Sequence, residues 1–444
     1  MDDGTERPRR RQQPDPSKYP KLSREQAGHL RHFHNLLPRP DNDWRLMGSQ
    51  EPLQEFPDAY RYQLATTARS GSPGPTPSPG RTSCTSGHLL MVVSLYAMLF
   101  DDDGFEAPGA LTFVWDPLFF GMGPETFSYS AQALQDAILG GNGEQRLGRF
   151  PVSTFSNSRP GGGGGQRRAW TAAWKEKGLV GPDGLFPDLW MVRQDVTLPA
   201  SDPAWTAWGS AFMNAWNGAF VRSHFDEQSL GHVASTGGEV RSNQPPVAAE
   251  FGRLVKERGA SATSRETLET ARRNPTFGYV SQWLSELGKD AALDGLLDCT
   301  TPRNDRRFEG ELLWARMDPF SGNAAIGYAR LSVEDGQRII WERPRTAEAV
   351  ASRPYVDGVT LDDGVDFPRG DWHPASGLLA LTVRAWDGDV GAIRPVVKGL
   401  GPGPWDFLVG GGLASSRVLS AGEDIALELQ VGGADLDIVV VKRV

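Results

Sequence analysis

Apolar residues recur at helical spacing through most of the chain and alternate with polar residues near its end. Helical periodicity covers 23–37 and 204–221, among other segments. Beyond residue 340 the apolar runs are short, as in 378–386, and Gly- and Pro-rich turns separate them. The pattern predicts a mainly α-helical domain over 23–340, followed by a small antiparallel, β-sandwich-like domain over 341–444.

The helical pattern is most apolar in the segment 86–103, SGHLLMVVSLYAMLFDDD. A helix that is apolar on nearly every side is enclosed by other helices. The run is too short to cross a bilayer, which needs about 20 apolar residues. Ser86 is a candidate N-cap, which places His88 in the first turn. An imidazole there is either a hydrogen-bonded core group, the commoner case, or a catalytic group.

Two Gly- and Pro-rich segments, 69–85 and 140–168, interrupt the helical domain, and neither can form a helix or a core strand. Residues 1–22 are polar and Pro-rich and predict a disordered tail. Helix pairs followed by a β module favour an α/α barrel, in which outer helices surround a ring of inner ones.

Composition narrows the class of protein. The 444 residues carry a net charge of −9, and the one basic run, 7–11, lies in the predicted tail, so nothing favours nucleic acid. Two cysteines, Cys84 and Cys299, cannot supply a disulfide framework or a cysteine-rich metal site. No secretory leader and no membrane-spanning run is visible, so we expect a cytoplasmic protein. The 14 tryptophans suit an aromatic-walled pocket as well as plain core packing.

Six segments, in this order, resemble the fungal branch of the linalool dehydratase/isomerase family: 86–103, 121–129, 172–186, 205–217, 275–289 and 317–331. The resemblance spans roughly 30–140 and 169–345 and extends to the β tail. It implies an (α/α)6 barrel. It also implies cofactor-free dehydration and isomerisation of a tertiary terpene alcohol, the activity of the family's bacterial members.

The resemblance also carries over site residues. The histidine of the family's Gly-His-Leu helix corresponds to His88, and a tyrosine preceded by a basic residue corresponds to Tyr62. The family's early aspartate falls in Pro-Asp-Asn-Asp, where we prefer Asp43 over Asp41. Two further residues are expected at the substrate: Trp190, where the bacterial enzyme has tyrosine, and Cys84, where the family has methionine.

The chain departs from the family in two places. The family's Cys-Glu-Pro segment, with a second cysteine a few residues later, is replaced by 140–168, which holds no cysteine. A helix and lead-in before Gly-His-Leu are replaced by 69–85. We interpret both as aberrant segments, from a mispredicted splice or a lineage-specific deletion. If the chain is real as written, the barrel lacks one inner helix and is incomplete.

Dehydration of a tertiary alcohol needs an acid for the leaving hydroxyl, a base for the neighbouring carbon and the exclusion of water. Asp43 and His88 have the required types, and Tyr62 is a donor to the oxygen. Aromatic side chains would form the walls around a small hydrophobic substrate: Phe119, Phe120, Trp205 and Trp208. No cofactor and no metal is expected, and homo-oligomerisation stays open.

Two other functions stay open. A carbohydrate hydrolase or lyase on the same barrel would use a carboxylate pair drawn from Glu125, Asp188 and Asp318. A family member that keeps a pocket without chemistry would be a binding protein. The glycine run 161–165 lacks the Lys-Ser/Thr that a phosphate loop requires.

Overall fold

The structure is a computed structural model. It describes the following residues: 15–36, 90, 93–98, 102–115, 125–139, 174–181, 184–191, 196–200, 203–236, 239–242, 248, 250, 252–253, 257, 277–300, 307–309, 312–314, 323–344, 346–388 and 391–443.

The described segments contain both helices and strands. The helices are α1 (Arg24–Leu36), α2 (Ala131–Leu139), α3 (Pro203–Ser229), α4 (Phe277–Glu286), α5 (Asp290–Thr300), α6 (Asn323–Leu331), α7 (Gly336–Glu342) and α8 (Ala347–Ala351). The strands before residue 350 are β1 (Leu111–Trp115), β2 (Glu125–Tyr129), β3 (Leu189–Met191), β4 (Val196–Leu198), β5 (Val233–Thr236), β6 (Glu239–Ser242), β7 (Arg307–Glu309) and β8 (Leu312–Trp314). The later strands are β9 (Tyr355–Asp357), β10 (Val365–His373), β11 (Leu378–Ala385), β12 (Gly391–Ile393), β13 (Val396–Lys398), β14 (Gly403–Val409), β15 (Gly412–Leu419), β16 (Ile425–Ala426), β17 (Leu429–Val431) and β18 (Leu436–Lys442).

The chain divides into two compact units. The β unit comprises 1–37, 308–313 and 348–444, and the helical unit comprises 38–307 and 314–347. A β-rich C-terminal region in antiparallel sheets was predicted from the sequence and is confirmed. The predicted domain boundaries stay predictions. At the N-terminus they differ from the two observed units, because residues 1–37 belong to the β unit.

The β unit is built on a five-stranded antiparallel sheet in the order β10-β11-β18-β14-β15. Side chains alternate between the two faces of a strand. In β11, Leu379, Leu381 and Val383 point into the main core, which residues of the smaller sheets also join. Leu378 and Ala380 lie on the opposite face, in a second buried cluster against which Tyr19 packs. The interior strand β11 is therefore buried on both faces.

The second face of this sheet contacts the N-terminal strap, by which we mean residues 15–36. Leu22 donates its backbone N–H to the Pro368 carbonyl at 2.8 Å, and Lys21 forms a 2.6 Å ion pair with Asp435. Arg369 donates to the Tyr19 carbonyl at 3.3 Å. The sequence predicted a disordered tail over 1–22 and assigned 23–37 to the helical domain. The described part of that tail is instead held against β10 and the loop before β18, because the sheet supplies partners for its backbone and its lysine.

The helical unit has its own apolar core between α3, α4, α5 and α6. Trp283 and Leu284 of α4 are almost fully buried and belong to this core. Ser285, on the same helix, donates its hydroxyl to the Ala329 carbonyl of α6 at 2.9 Å. These contacts show that α4 packs against α3, α5 and α6 around one core.

The apolar segment 86–103 is only partly as predicted. Residues 90 and 93–98 are helical, and Leu90 and Val93 are buried against β1 and α2. Tyr96, however, is 37% exposed and donates to the Asp102 carboxylate at 3.0 Å. The expectation of a helix buried on every side is therefore wrong for this described stretch, because its described apolar contacts lie on one side.

The aromatic segment between that helix and α2 forms a β-hairpin. Strands β1 and β2 pair antiparallel, with Phe113 opposite Phe127 and Trp115 opposite Glu125. Alternating aromatic and β-branched residues favour the pleated surface of a strand over an irregular loop. The hairpin helps to cover the small core around Leu90.

Candidate functional site

Helix α3 is not straight, and its bend organises the described part of the helical unit. Asn217 has φ −139° and ψ 45°, which divides α3 into two arms. Thr206 accepts a 2.9 Å hydrogen bond from the Phe186 N–H, and Gln228 donates a 2.7 Å hydrogen bond to the Gly184 carbonyl. A straight helix of 27 residues would be about 40 Å long. Thr206 and Gln228 lie near opposite ends of α3, but the residues they bind, Phe186 and Gly184, are only two positions apart in the chain. The two arms therefore fold toward each other at Asn217.

The segment 184–188, which we call the clasp loop, spans the open side of this bend. Gly184 has φ +75°, and a Cβ there would lie 2.7 Å from His224 Cδ2. The Phe186 ring is buried and lies 6.4 Å from the Phe220 ring and 5.5 Å from the Trp174 ring. The clasp loop is thus fixed by two buried hydrogen bonds and by aromatic packing.

Replacing Gly184 by alanine is expected to destabilise the helical unit by about 1–2 kcal/mol more than replacing Gly178. Both glycines have positive φ, so both alanines carry the same backbone strain of about 1–2 kcal/mol. Nothing lies within 4 Å of a Cβ at Gly178, whereas at Gly184 the His224 ring would have to move. Urea unfolding of the two variants measures the difference, and equal losses would contradict the close contact.

Polar side chains brace the bend at its vertex, forming what we call the corner cluster: Asn214, Arg222, Glu286, Asp335 and Arg338. The Asn214 side-chain amide donates to Glu286 Oε1 at 3.0 Å and to Asp335 Oδ1 at 2.8 Å. Arg222, from the other arm of α3, donates to the same Asp335 oxygen. Arg338 pairs with the second Asp335 oxygen. One aspartate therefore links both arms of α3 to the start of α7.

Glu286 is a fully buried carboxyl at the end of α4. Its pKa is raised to about 7, chiefly by burial and also by the nearby Asp335 charge, while hydrogen bonds from Asn214 and the Gln337 backbone oppose the rise. A carboxyl of this pKa has the range of a general acid. Its oxygens, however, accept from the Gln337 N–H at 3.0 and 3.2 Å. Glu286 therefore caps the N-terminus of α7, where Asp335, the N-cap residue, makes no side-chain cap bond.

Aromatic side chains of α3 and α4 form a partly exposed surface, which we call the aromatic surface: Trp205, Trp208, Phe212 and Tyr279. The Trp208 ring lies 6.0 Å from Trp205, 6.0 Å from Phe212 and 5.5 Å from Tyr279. Trp205 is 41% exposed, whereas Phe212 is buried. The surface offers apolar area from edge-to-face and tilted rings with no acidic or basic member, which suits a hydrophobic ligand.

The structure tests few of the predicted site residues. These predicted residues lie outside the described part of the chain: Asp41, Asp43, Tyr62, Cys84, His88, Phe119, Phe120 and Asp318. Trp190 lies in β3 opposite Thr197, and Glu125 begins β2, but neither side chain belongs to the described part. Trp205 and Trp208 are described, and their rings lie 6.0 Å apart, but their place in the wall of a substrate pocket stays a prediction.

Asp188, a candidate carboxylate of the hydrolase hypothesis, ends the clasp loop near His232. Burial lowers the pKa of His232 to about 4, and the Asp188 charge opposes this fall. Among the described carboxylates, Glu286 and Asp335 do form a close pair, since both accept from Asn214. That pair is enclosed between helices and its oxygens bind amides and guanidinium groups, so it lacks the open groove that a glycosidase pair needs.

Sequence reasoning missed the residues that shape this region, namely Thr206, Asn214, Gln228 and Glu286. One cue was available for the bend: Asn217 and Gly218 form an Asn-Gly dipeptide, a common turn former, inside the predicted helix 204–221. A Cβ at Gly218 would lie 3.0 Å from Asn214 Oδ1, so glycine leaves room for the corner cluster. Nothing in the local pattern distinguishes Glu286 from an exposed glutamate at a helix end.

The comparison with known families identifies the class of protein. A family model described as linalool dehydratase/isomerase matches residues 84–150 and 165–318, and the chain belongs to this family. His88, Cys84, Phe119, Trp190 and Trp205 lie within the matched residues, whereas Asp41, Asp43 and Tyr62 precede them. The match breaks within the interval 140–168, where the sequence departs from the family. A search of curated proteins found no match.

The described helices also bear on the membrane question. None of the helices within the described residues combines the length and the apolar character needed to cross a bilayer.

Proposed function

We propose that the protein is a lyase/isomerase that dehydrates a terpenoid or other hydrophobic alcohol without a cofactor. The observation that carries the proposal is the family match, because its first matched segment contains His88. We also propose that the helical unit is an α/α barrel with an incomplete inner ring. The packing of α4 against α3 and α6 around one core supports this architecture.

In this mechanism His88 is the base that takes a proton from the carbon next to the alcohol carbon. Asp43 protonates the leaving hydroxyl, and Tyr62 donates a hydrogen bond to the same oxygen. The carbon–oxygen bond breaks as water leaves, and the electrons of the carbon–hydrogen bond form the alkene. The family's cysteines share this acid/base work, and the interval 140–168 holds none.

The substrate class follows from the side chains available for binding. The aromatic surface presents three partly accessible rings, Trp205, Trp208 and Tyr279, and Trp205 exposes the largest fraction of its area among them. Such rings contribute apolar area, which favours the binding of a hydrocarbon chain. This supports an isoprenoid or similar alcohol as the substrate.

His88→Ala is expected to lower the turnover of a tertiary terpene alcohol at least about 100-fold, because general base catalysis contributes roughly 100- to 10,000-fold. The measurement is the rate of product formation from a panel of such alcohols, detected by gas chromatography. His373→Ala is the matched control, since His373 lies in the β unit and bonds to Ser376. Turnover of none of the alcohols, or equal turnover by His88→Ala, would exclude this function.

A further inference from the structure

The clasp loop joins two segments that carry predicted substrate-binding residues. Its anchor, Thr206, directly follows Trp205 in α3, and the bonded Phe186 lies four residues before Trp190 in β3. A chain of four residues spans at most about 14 Å. The 2.9 Å hydrogen bond between Phe186 N and Thr206 Oγ1 therefore fixes the backbones of Trp190 and Trp205 within one site-sized region.

We propose, on the basis of the proposed function, that Thr206 is a positioning residue that holds the backbones of Trp190 and Trp205 close together for substrate binding. Thr206 itself is buried. It acts through the clasp loop, which its hydroxyl holds against the first arm of α3. Gln228 provides the second anchor, on the other arm, through its bond to the Gly184 carbonyl.

The hydroxyl is the part of Thr206 that matters for this role. The Phe186 N–H is enclosed in the core, and a buried amide without a partner is strongly disfavoured. Valine keeps the shape of the Thr206 side chain but offers no hydrogen-bond acceptor. In Thr206→Val the clasp loop is therefore expected to move away from α3, so that the Phe186 N–H can bind water. With Thr206→Ser the acceptor is retained.

The test compares Thr206→Val with Thr206→Ser in the full chain. Hydrogen exchange of a peptide covering 184–191 is expected to become about tenfold faster in Thr206→Val and to stay within about twofold in Thr206→Ser. For an alcohol that the wild type converts, KM is expected to rise about tenfold in Thr206→Val, while kcat changes less than about threefold. A purely structural hydroxyl would lower the unfolding midpoint without this KM change.

Each outcome decides the proposal. Faster exchange with an unchanged KM would overturn the positioning role, and unchanged exchange would overturn the clasp itself. If Thr206→Val does not fold, Gln228→Met removes the second anchor and is expected to give the same two changes. If the wild type neither converts nor binds any alcohol by calorimetry, the proposed function fails and the positioning role fails with it. The exchange measurement still tests the clasp in that case.

Discussion

Arg31→Met is expected to destabilise the β unit by about 3–5 kcal/mol, because it leaves a buried carboxylate without its cation. The Arg31 side chain is 1% exposed, and it donates to Asp366 Oδ1 from Nη2 at 2.6 Å and from Nε at 3.2 Å. It also donates to the Leu361 and Val365 carbonyls at 3.1 and 3.2 Å. Its guanidinium lies 5.0 Å from the centre of the Trp386 ring. Methionine replaces the aliphatic part of the Arg31 side chain but makes none of these hydrogen bonds.

The measurement is the free energy of unfolding in urea, monitored by circular dichroism. Arg24→Met is the matched control, since Arg24 lies on the same helix, is exposed and also lies over the Trp386 ring, at 5.8 Å. It is expected to change the free energy of unfolding by less than about 1 kcal/mol. Arg31→Met combined with Asp366→Leu should recover part of the loss, because the uncompensated charge is gone. A loss below about 1 kcal/mol for Arg31→Met alone would contradict a structural role for the N-terminal strap.

The same strap shows how far sequence reasoning reaches. Helical periodicity over 23–37 predicted α1, and a capping box marks its start: Ser23 N donates to Gln26 Oε1 at 2.8 Å, and Gln26 N donates to Ser23 Oγ at 3.1 Å. What α1 packs against was not predictable. Asp366 lies 335 residues further along the chain, and no local pattern encodes a pairing over that distance. Local chemistry fixes where an element begins, whereas its partner depends on the whole fold.

The strands of the β unit and the corner cluster also differ in how far local sequence predicts them. The strands β11 and β18 were predictable because apolar side chains follow one another through both and turn residues bound them. The burial of Glu286 depends on the bend at Asn217 and on α7 closing over it, and α7 begins some 50 residues after Glu286. The catalytic candidates His88, Asp43 and Tyr62 come from the family resemblance, and they stay predictions.

The stability of the helical unit is expected to fall by about 3 kcal/mol through the ionisation of Glu286 as the pH rises from 4.5 to 7. Burial raises the Glu286 pKa from 4.5 to about 7 in the folded protein. Between these values the folded state keeps the proton and the unfolded state releases it, so the free energy of unfolding decreases with rising pH. Below 4.5 both states are protonated, and well above 7 both are ionised, so the dependence ends there.

Glu286→Gln removes this dependence, because glutamine keeps an acceptor for the Gln337 N–H but carries no proton to lose. The variant is expected to be more stable than the wild type above pH 7, and the difference should vanish near pH 4.5. His232 acts in the opposite sense: its lowered pKa makes stability rise between about pH 4 and 6.5. The comparison is therefore made between variant and wild type at each pH, where the His232 contribution cancels. Glu334→Gln, a nearby glutamate with a 60% exposed side chain, should leave the wild-type dependence unchanged. A Glu286→Gln profile parallel to the wild type would show that the corner cluster does not hold a protonated Glu286.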